Sequence, residues 1–202
     1  MKPRTIVQSV LFVVIIALSY FIYESIMKPV RFNKEDGERR LVVIERLKDI
    51  RTAQLSFKSV NGRYTGSFDT LLTFLKTGKI PVVKKIGTVP DSLTEAQALK
   101  KKIISRDTSY VNAGEELFRE RLKENKDFKL DELVLIPLSK GDKFEMQAGF
   151  IEKGKVRVPV FMVIAPKKTY LVGLNEEMIN MDYVKDLQLG SMTEPSTDGN
   201  WE

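Results

Sequence analysis

The fold is decided by the stretch IRTAQLSFKSVNGRYTGSFDTLLTFL, residues 50–75. It is typical of the end of an amphipathic helix, a loop punctuated by glycine, and a second short helix. Asn61 followed by Gly62 predicts the helix stop, because glycine accepts the positive φ that commonly ends a helix. Ser67 is a candidate N-cap for the second helix. Three leucines supply the apolar face of that helix: Leu71, Leu72 and Leu75.

The first of these two helices extends upstream and carries one apolar stripe. Apolar or small residues recur at helical spacing over residues 41–61, and charged residues occupy the other faces. The stripe consists of Val43, Ile44, Leu47, Ile50, Ala53, Phe57 and Val60. A stripe of this width is expected to face a core. We therefore predict a helical spine over 41–61.

Farther upstream, residues 6–27 form an almost unbroken apolar run. At 1.5 Å per residue, about 22 helical residues cross a hydrocarbon core of about 30 Å. Tyr20 and Tyr23 suit the aromatic belt of a membrane interface, and Lys28 closes the run. We therefore predict a transmembrane anchor over 6–27, preceded by a cytoplasmic tip over 1–5.

Two other interpretations of the N-terminus stay open. A cleaved signal peptide needs a site with small residues two apart, and ALS at residues 17–19 resembles one weakly. The run is longer than the usual apolar part of a signal peptide, which favours a retained anchor. A core helix of a soluble protein is disfavoured because the run is apolar on every face.

The charges around the run bear on its orientation. Lys2 and Arg4 favour an N-terminus inside, whereas several basic residues just past the run weaken this bias. A very short tip ahead of a large C-terminal part fits a signal anchor that exports its C-terminus. We expect an exported domain over 41–190, joined to the anchor by a juxtamembrane linker over 28–40 that contains a proline and a glycine.

The middle of the chain is polar and interrupted. Ser92 and Glu95 form a capping-box pattern, which predicts a short helix over 93–104. Residues 107–109 have the composition of a turn, and residues 113–125 have helical character. These elements are expected on the surface of the exported domain.

The period of the apolar residues changes after residue 128. Four β-like runs over 128–175 are separated by short turns, which predicts an antiparallel meander. The runs are FKLDELVLIPLS, KFEMQAGFIEK, KVRVPVFMVIAP and TYLVGLN. Pro159 in the third run indicates an edge strand or an irregular start. Four residues of the third run fall on one face: Val158, Val160, Met162 and Ile164.

The ending of the chain, residues 191–202, is rich in Ser, Thr, Gly and Pro and predicts an exposed tail. Trp201, the single tryptophan, is unusual in such a segment. Two interpretations follow for this side chain. Either it packs back on the domain, or it is a contact for a partner protein.

The composition excludes several classes of site. The chain contains no cysteine and no histidine. Disulfides and thiolate chemistry are therefore excluded, and the usual general base and the commonest metal ligand are missing. The sequence has no nucleotide-binding loop, EF-hand loop or zinc spacing. We expect no enzyme activity and no catalytic, cofactor-binding or metal-ligating residue.

The charge balance indicates an ordinary solvated surface with some attraction to acidic surfaces of the cell envelope. The chain has 33 basic and 27 acidic side chains, a net charge of +6. Such an excess favours attraction to anionic lipid, whereas nucleic-acid binding calls for basic clusters interleaved with aromatic residues. The expected partners are membrane lipid and other envelope proteins, with no nucleic acid.

The succession of helix, Asn-Gly, Arg63-Tyr64 and second helix over residues 41–75 resembles the type IV pilins and the pseudopilins of type II secretion. The resemblance implies an α+β fold, in which an N-terminal transmembrane helix continues into an amphipathic helix packed on a small antiparallel β-sheet. The processing site of those families, a glycine ahead of a hydrophobic residue with a glutamate soon after it, does not occur in KPRTIVQSVLFVV, residues 2–14. The ending GSMTEPSTDGNWE, residues 190–202, also resembles an uncharacterised bacterial single-pass envelope protein family.

These observations lead to one expected function and two alternatives. We expect a non-enzymatic protein of the bacterial inner membrane, with a periplasmic domain that serves as a structural or protein-interaction component of a secretion or envelope assembly. The first alternative is a pilin or pseudopilin filament subunit. The second is a membrane-tethered hydrolase with carboxylates or a Ser–Lys pair, for which LSK at 138–140 and SFKS at 56–59 are weak candidates because such patterns are common on surfaces.

Overall fold

The structure is a computed structural model that describes residues 3–86, 94, 97, 105–124 and 128–202. Its fold is α+β, which confirms the predicted class. A long apolar N-terminal helix, α1 (Pro3–Asn61), is followed by α2 (Phe68–Thr77) and by two small antiparallel sheets. The first sheet pairs β1 (Lys79–Ile86) with β2 (Ser105–Asn112).

Short helices separate the two sheets. They are α3 (Ala113–Leu117), α4 (Arg119–Glu124) and a 3-10 helix (Leu130–Val134). The second sheet has the order β3-β4-β5 and consists of β3 (Glu145–Lys153), β4 (Val156–Ala165) and β5 (Leu187–Gly190). Two further short helices, α5 (Lys167–Tyr170) and α6 (Glu176–Ile179), lie between β4 and β5 in the chain.

Helix α1 has no break between the apolar run and the spine. Where a linker is predicted over 28–40, the structure instead continues the helix through Pro29 and Gly37. Proline costs about 3 kcal/mol and glycine about 1 kcal/mol inside a helix, so packing has to offset them. That packing begins at Phe32, which is only 5% exposed and belongs to the hydrophobic core. The helix is therefore about 90 Å long, at 1.5 Å per residue.

The predicted stripe of α1 is the spine of the core. Its members Val43, Leu47, Ile50, Ala53 and Phe57 are buried, whereas Val60 at the helix end is exposed. The helix ends at Asn61 and Gly62 takes a φ of 72°, as predicted. Helix α2 begins after Ser67, although the Ser67 side chain makes no capping hydrogen bond.

The core-facing side of the second sheet packs toward the spine. Its buried residues are Phe161, Val163, Ala165, Leu187 and Leu189. The Phe161 ring contacts the Tyr64 ring, with 4.5 Å between the centroids. Val158, Val160, Met162 and Ile164 lie on the other face of β4, because alternate residues of a strand point to opposite sides, and of these Val160 is also buried. Both faces of β4 are apolar, so alternation alone did not identify the buried face.

Only two of the four predicted β-runs are strands. The first run instead forms the 3-10 helix and a turn, with one isolated bridge between Leu135 and Lys143. The fourth run forms α5 and a turn, and the third strand of the sheet is β5, beyond the predicted meander. Short apolar runs do not distinguish a strand from a buried turn or a short helix, which explains both errors.

For the strand of Pro159 the prediction was an edge position or an irregular start, and the structure places Pro159 near the start of β4, the central strand of its sheet. Strand β5 pairs only with Met162–Ala165 of β4, so Pro159 lies where β4 has a partner on one side alone. A proline is tolerated there because no ladder on the open side needs its missing N–H.

The middle of the chain differs from its prediction in one place. Residues 107–109 belong to β2, which pairs with β1, and are not a turn. Helices α3 and α4 confirm the helical character of 113–125 within the described residues. The predicted helix over 93–104 and residues 1–2 of the tip lie outside the described residues, apart from Thr94 and Gln97, which exchange two hydrogen bonds.

Candidate membrane anchor and interaction surfaces

The apolar end of α1 is not buried by any other element in the described part of the chain. It is the one described helix that is long and apolar enough to cross a membrane, and none of its most apolar window is buried. A core helix of a soluble protein would be covered by other elements. The N-terminal helix is therefore compatible with a single-pass membrane protein.

The predicted interface residues lie at the end of the apolar run. Tyr20 and Tyr23 are 63% and 55% exposed. They are three residues apart and so are neighbours on one side of the helix. Lys28 is exposed one turn farther on, and the Glu24 carboxylate lies 3.6 Å from the Arg31 guanidinium. An interfacial role for Tyr20, Tyr23 and Lys28 stays a prediction.

A polar cluster ties α1 to the segment that follows β4. Nη1 of Arg39 donates hydrogen bonds to the carbonyl oxygens of Tyr170, at 3.2 Å, and Val172, at 2.8 Å. Burial raises the pKa of Tyr170 to about 12 and raises the pKa of Asp36, and in both cases Arg40 opposes the shift. These hydrogen bonds lie 12 residues past Met27, about 18 Å along the helix axis, and so add to the core packing that begins at Phe32. Sequence reasoning missed this attachment because it assigned these residues to a linker.

Another charged cluster, around Asp49, lies nearer the C-terminal end of the spine. Asp49 is only 7% exposed, and its carboxylate lies 3.1 Å from Nη1 of Arg121 in α4. Burial raises the pKa of Asp49 to about 6, although Arg121 and Arg46 act in the opposite direction. Arg121 also pairs with Glu45 at 3.1 Å, and Arg46 donates to the carbonyl oxygen of Glu132. The cluster therefore holds α4 and the 3-10 helix against α1.

The sequence gives part of the signal for this cluster. Asp49 directly precedes Ile50 of the apolar stripe, so a helical projection places its carboxylate at the border of the core. Its partner Arg121 is 72 residues away in the chain (121 − 49), and no local pattern links the two. The position of the buried acid was therefore accessible to sequence reasoning, and the identity of its partner was not.

The C-terminal tail lies along the domain surface, where all of its residues except Gly199 are exposed or half-buried. The amide of Gly190 donates to the carbonyl oxygen of Asp198, and the amide of Asn200 donates to that of Gln188. These bonds lay the tail along β5, and the Glu202 carboxylate pairs with Arg51 of α1.

Trp201 is half-buried and packs against the hydrophobic core. Its ring fills the space beside Gly199, where a Cβ would lie 2.2 Å from the nearest ring atom. The interpretation that Trp201 packs back on the domain is confirmed. A contact between Trp201 and a partner protein stays a prediction.

Comparisons with known proteins give no assignment for this chain. No protein-family model, no curated protein and no solved structure matches it. The long apolar N-terminal helix and the small antiparallel sheets are compatible with a pilin-like shape.

Proposed function

We propose that this chain is a non-enzymatic, membrane-anchored envelope protein that holds an interaction domain close above a bacterial inner membrane. The observation that carries the proposal is the continuity of α1, whose first part is apolar and uncovered while its last part is the spine of the domain core. A helix of this kind fixes the height and the orientation of the domain. Positioning is therefore the proposed mechanism.

The proposed orientation has the N-terminus inside and the domain in the periplasm. Its support is the pair of basic residues ahead of the apolar run, Lys2 and Arg4. The proposed partners are membrane lipid, along the first part of α1, and other envelope proteins of a secretion or envelope assembly, on the surface of the domain. The attachment of Tyr170 and Val172 to Arg39 supports a domain held near the membrane surface.

Carbonate extraction of membranes that contain the full-length chain tests the anchor. We expect the chain to stay in the pellet. The variant with both Leu11→Arg and Ile15→Arg is expected to move to the supernatant, because each central arginine costs about 2.5–3.5 kcal/mol of insertion free energy. Extraction of the unmodified chain into the supernatant would overturn the proposal.

A filament subunit is the second candidate, and the pilin-like shape favours it. In such an assembly the apolar helices leave the bilayer and pack together. The mass of the mature N-terminus separates the two candidates. An intact start at Met1 or Lys2 supports the fixed anchor, a start at the beginning of the apolar run supports the filament subunit, and a start at Tyr20 indicates a cleaved signal peptide.

A further inference from the structure

Within the described part of the chain, the second sheet has one edge covered by the tail and one edge without a neighbouring strand. The tail lies along β5, where Leu189 forms a bridge with Gly199. Strand β3 is the other edge, and among the described residues no backbone hydrogen bond joins residues 145–153 to any segment except β4. An open edge presents unpaired N–H and C=O groups, which are a template for another strand.

One loop limits how much of this edge is accessible. A Cβ on Gly66 would lie 3.0 Å from the amide nitrogen of Ala148, so the loop between α1 and α2 rests directly on β3 at that point. Beyond Ala148, no described segment except β4 makes a backbone hydrogen bond to residues 149–153, and the tail approaches them through side chains, with Met192 beside Gly149. Five residues are enough for an added strand of ordinary length.

A groove begins where the open edge begins. It has a volume of about 400 Å³ and lies between the Gly66 loop, the start of α2 and β3. Its apolar lining includes Phe57, Tyr64 and Phe150, and Phe150 is 43% exposed. Every second side chain of a strand points to the same face of its sheet. A strand added to this edge would therefore place a side chain at the groove.

Cations surround the groove. Arg63 lines it, and among the described residues that line it none is acidic. The Arg157 guanidinium stacks on the Phe150 ring, 4.2 Å from its centroid, and the Lys58 ammonium lies 4.8 Å from the centroid of the Tyr64 ring. The groove therefore favours an acidic ligand.

We propose that the open edge of β3 binds an extended acidic segment of a partner protein by strand addition. The partner's backbone pairs with residues 149–153, one of its apolar side chains packs on Phe150 in the groove, and an acidic side chain pairs with Arg63. Strand addition obtains its affinity from the backbone and its specificity from alternate side chains. This inference rests on the proposed function, in which the domain binds other envelope proteins.

A second copy of this chain fits the same edge less well. Pairing of two β3 strands about a two-fold axis would place the same surface of each copy in contact. Each copy would then bring the same cations, Arg63 and Arg157, to the contact, and juxtaposed like charges disfavour association. An acidic partner instead brings charge opposite to Arg63 and Arg157, and Glu152 is the one acidic residue within the paired segment 149–153.

A binding measurement on the full-length chain in detergent micelles tests the inference. The probe is a fluorescein-labelled peptide that alternates valine with glutamate, followed by fluorescence anisotropy. Two control peptides carry lysine in place of glutamate, or N-methyl groups that remove the backbone donors. We expect binding of the acidic peptide alone. Equal binding of either control peptide would overturn the inference.

The variant Arg63→Glu is expected to weaken binding of the acidic peptide by about tenfold, because an attraction becomes a repulsion. The matched variant is Lys129→Glu, an exposed lysine that does not line the groove, which is expected to leave affinity unchanged. Self-association of the chain that protects residues 149–153 from amide exchange would assign the edge to a second copy and overturn the acidic partner. Retention in carbonate-washed membranes is measured separately, so loss of peptide binding alone refutes the inference without refuting the anchor.

Discussion

Gln54 of α1 and Thr65 of the loop after it are joined by two hydrogen bonds. Nε2 of Gln54 donates to the carbonyl oxygen of Thr65 at 2.7 Å, and the amide of Thr65 donates to Oε1 of Gln54 at 3.2 Å. Both residues are buried, and Gln54 is fully inaccessible. One side chain thus satisfies both backbone polar groups of Thr65, which fixes the loop between the two helices against the core.

Replacement of this glutamine is expected to destabilise the domain. In Gln54→Leu the N–H and C=O groups of Thr65 lose their partners while they remain buried, at a cost of about 2–4 kcal/mol in the free energy of unfolding. Urea denaturation of the full chain in micelles measures the change. Thr52→Ala is the control, since this exposed side chain bonds only to Lys48 of its own helix, and we expect a change below about 0.5 kcal/mol. If the Gln54→Leu variant were as stable as the unmodified chain, the two hydrogen bonds to Thr65 would not be what fixes the loop between α1 and α2.

The sequence reveals the helix that carries Gln54 but not the role of Gln54. The apolar stripe and the Asn61–Gly62 stop follow from periodicity and from the conformational freedom of glycine, which are local properties. The hydrogen bonds to Thr65 depend on where the loop turns back, which is a tertiary property. A polar residue next to Ala53 of the stripe was nevertheless a signal that a buried partner was needed.

The buried carboxylate of Asp49 gives a pH dependence of defined sign. Its pKa is about 6 in the folded chain and about 3.8 in the unfolded chain, so the folded state binds more protons between these values. The contribution of Asp49 to stability is therefore full below pH 4 and is lost as the pH rises through 6. Relative to Asp49→Asn, the unmodified chain is expected to lose on the order of 1–2 kcal/mol between pH 4 and pH 7, after allowance for solvent screening.

Denaturation midpoints of the two proteins across this pH range measure the effect. The difference between the two proteins isolates Asp49, since the other carboxylates titrate in both. A difference that grows in favour of the unmodified chain as the pH rises would show that the pairing of Asp49 with Arg121 outweighs its desolvation.

The continuity of α1 through residues 28–40 predicts the effect of a glycine substitution. Gly37 is inside the helix, and nothing lies within 4 Å of a Cβ built on it. Gly37→Ala is expected to stabilise this part of the helix by about 0.5–1 kcal/mol. Slower amide exchange of the neighbouring residues measures the gain. If residues 28–40 were a flexible linker, their amide exchange would be fast both with and without the Gly37→Ala substitution.

Gly62→Ala is the matched control, because position 62 requires a positive φ that alanine disfavours, whereas position 37 requires the helical φ that alanine favours. Gly62 ends the helix with a φ of 72°, which costs a residue with a Cβ about 1–2 kcal/mol. We therefore expect opposite signs at the two glycines. If both substitutions changed stability in the same direction, either the helix at Gly37 or the positive φ at Gly62 would be contradicted.

Trp201 reports on the packing of the tail because no other tryptophan contributes to fluorescence. Arg51→Ala removes the ion pair to Glu202 and is expected to shift the emission to longer wavelength and to increase quenching by acrylamide. Arg119→Ala, which removes a local pair to Glu116, is expected to leave the emission unchanged. An unshifted spectrum in Arg51→Ala would show that the tail is held without this ion pair.

The sheet was the part of the fold least accessible from sequence. Both faces of β4 are apolar, so the pattern located the strand but not its buried side. Strand β5 has four residues, too few for a periodic signal, and its position depends on α5 and α6. The open edge of β3 was equally hidden, because strand order is set by the pairing of β4 with β5 and not by any local sequence.

Cysteine accessibility tests the central claim most directly, and the chain has no native cysteine to interfere. Phe12→Cys lies in the apolar run, and Leu41→Cys lies on the exposed side of the spine. A membrane-impermeant maleimide is applied to cells whose outer membrane has been permeabilised. The account predicts rapid labelling at position 41 and none at position 12 until detergent is added. Labelling of position 12 in intact membranes, or of position 41 only after lysis, would contradict a single helix that spans the membrane and continues into an exported domain.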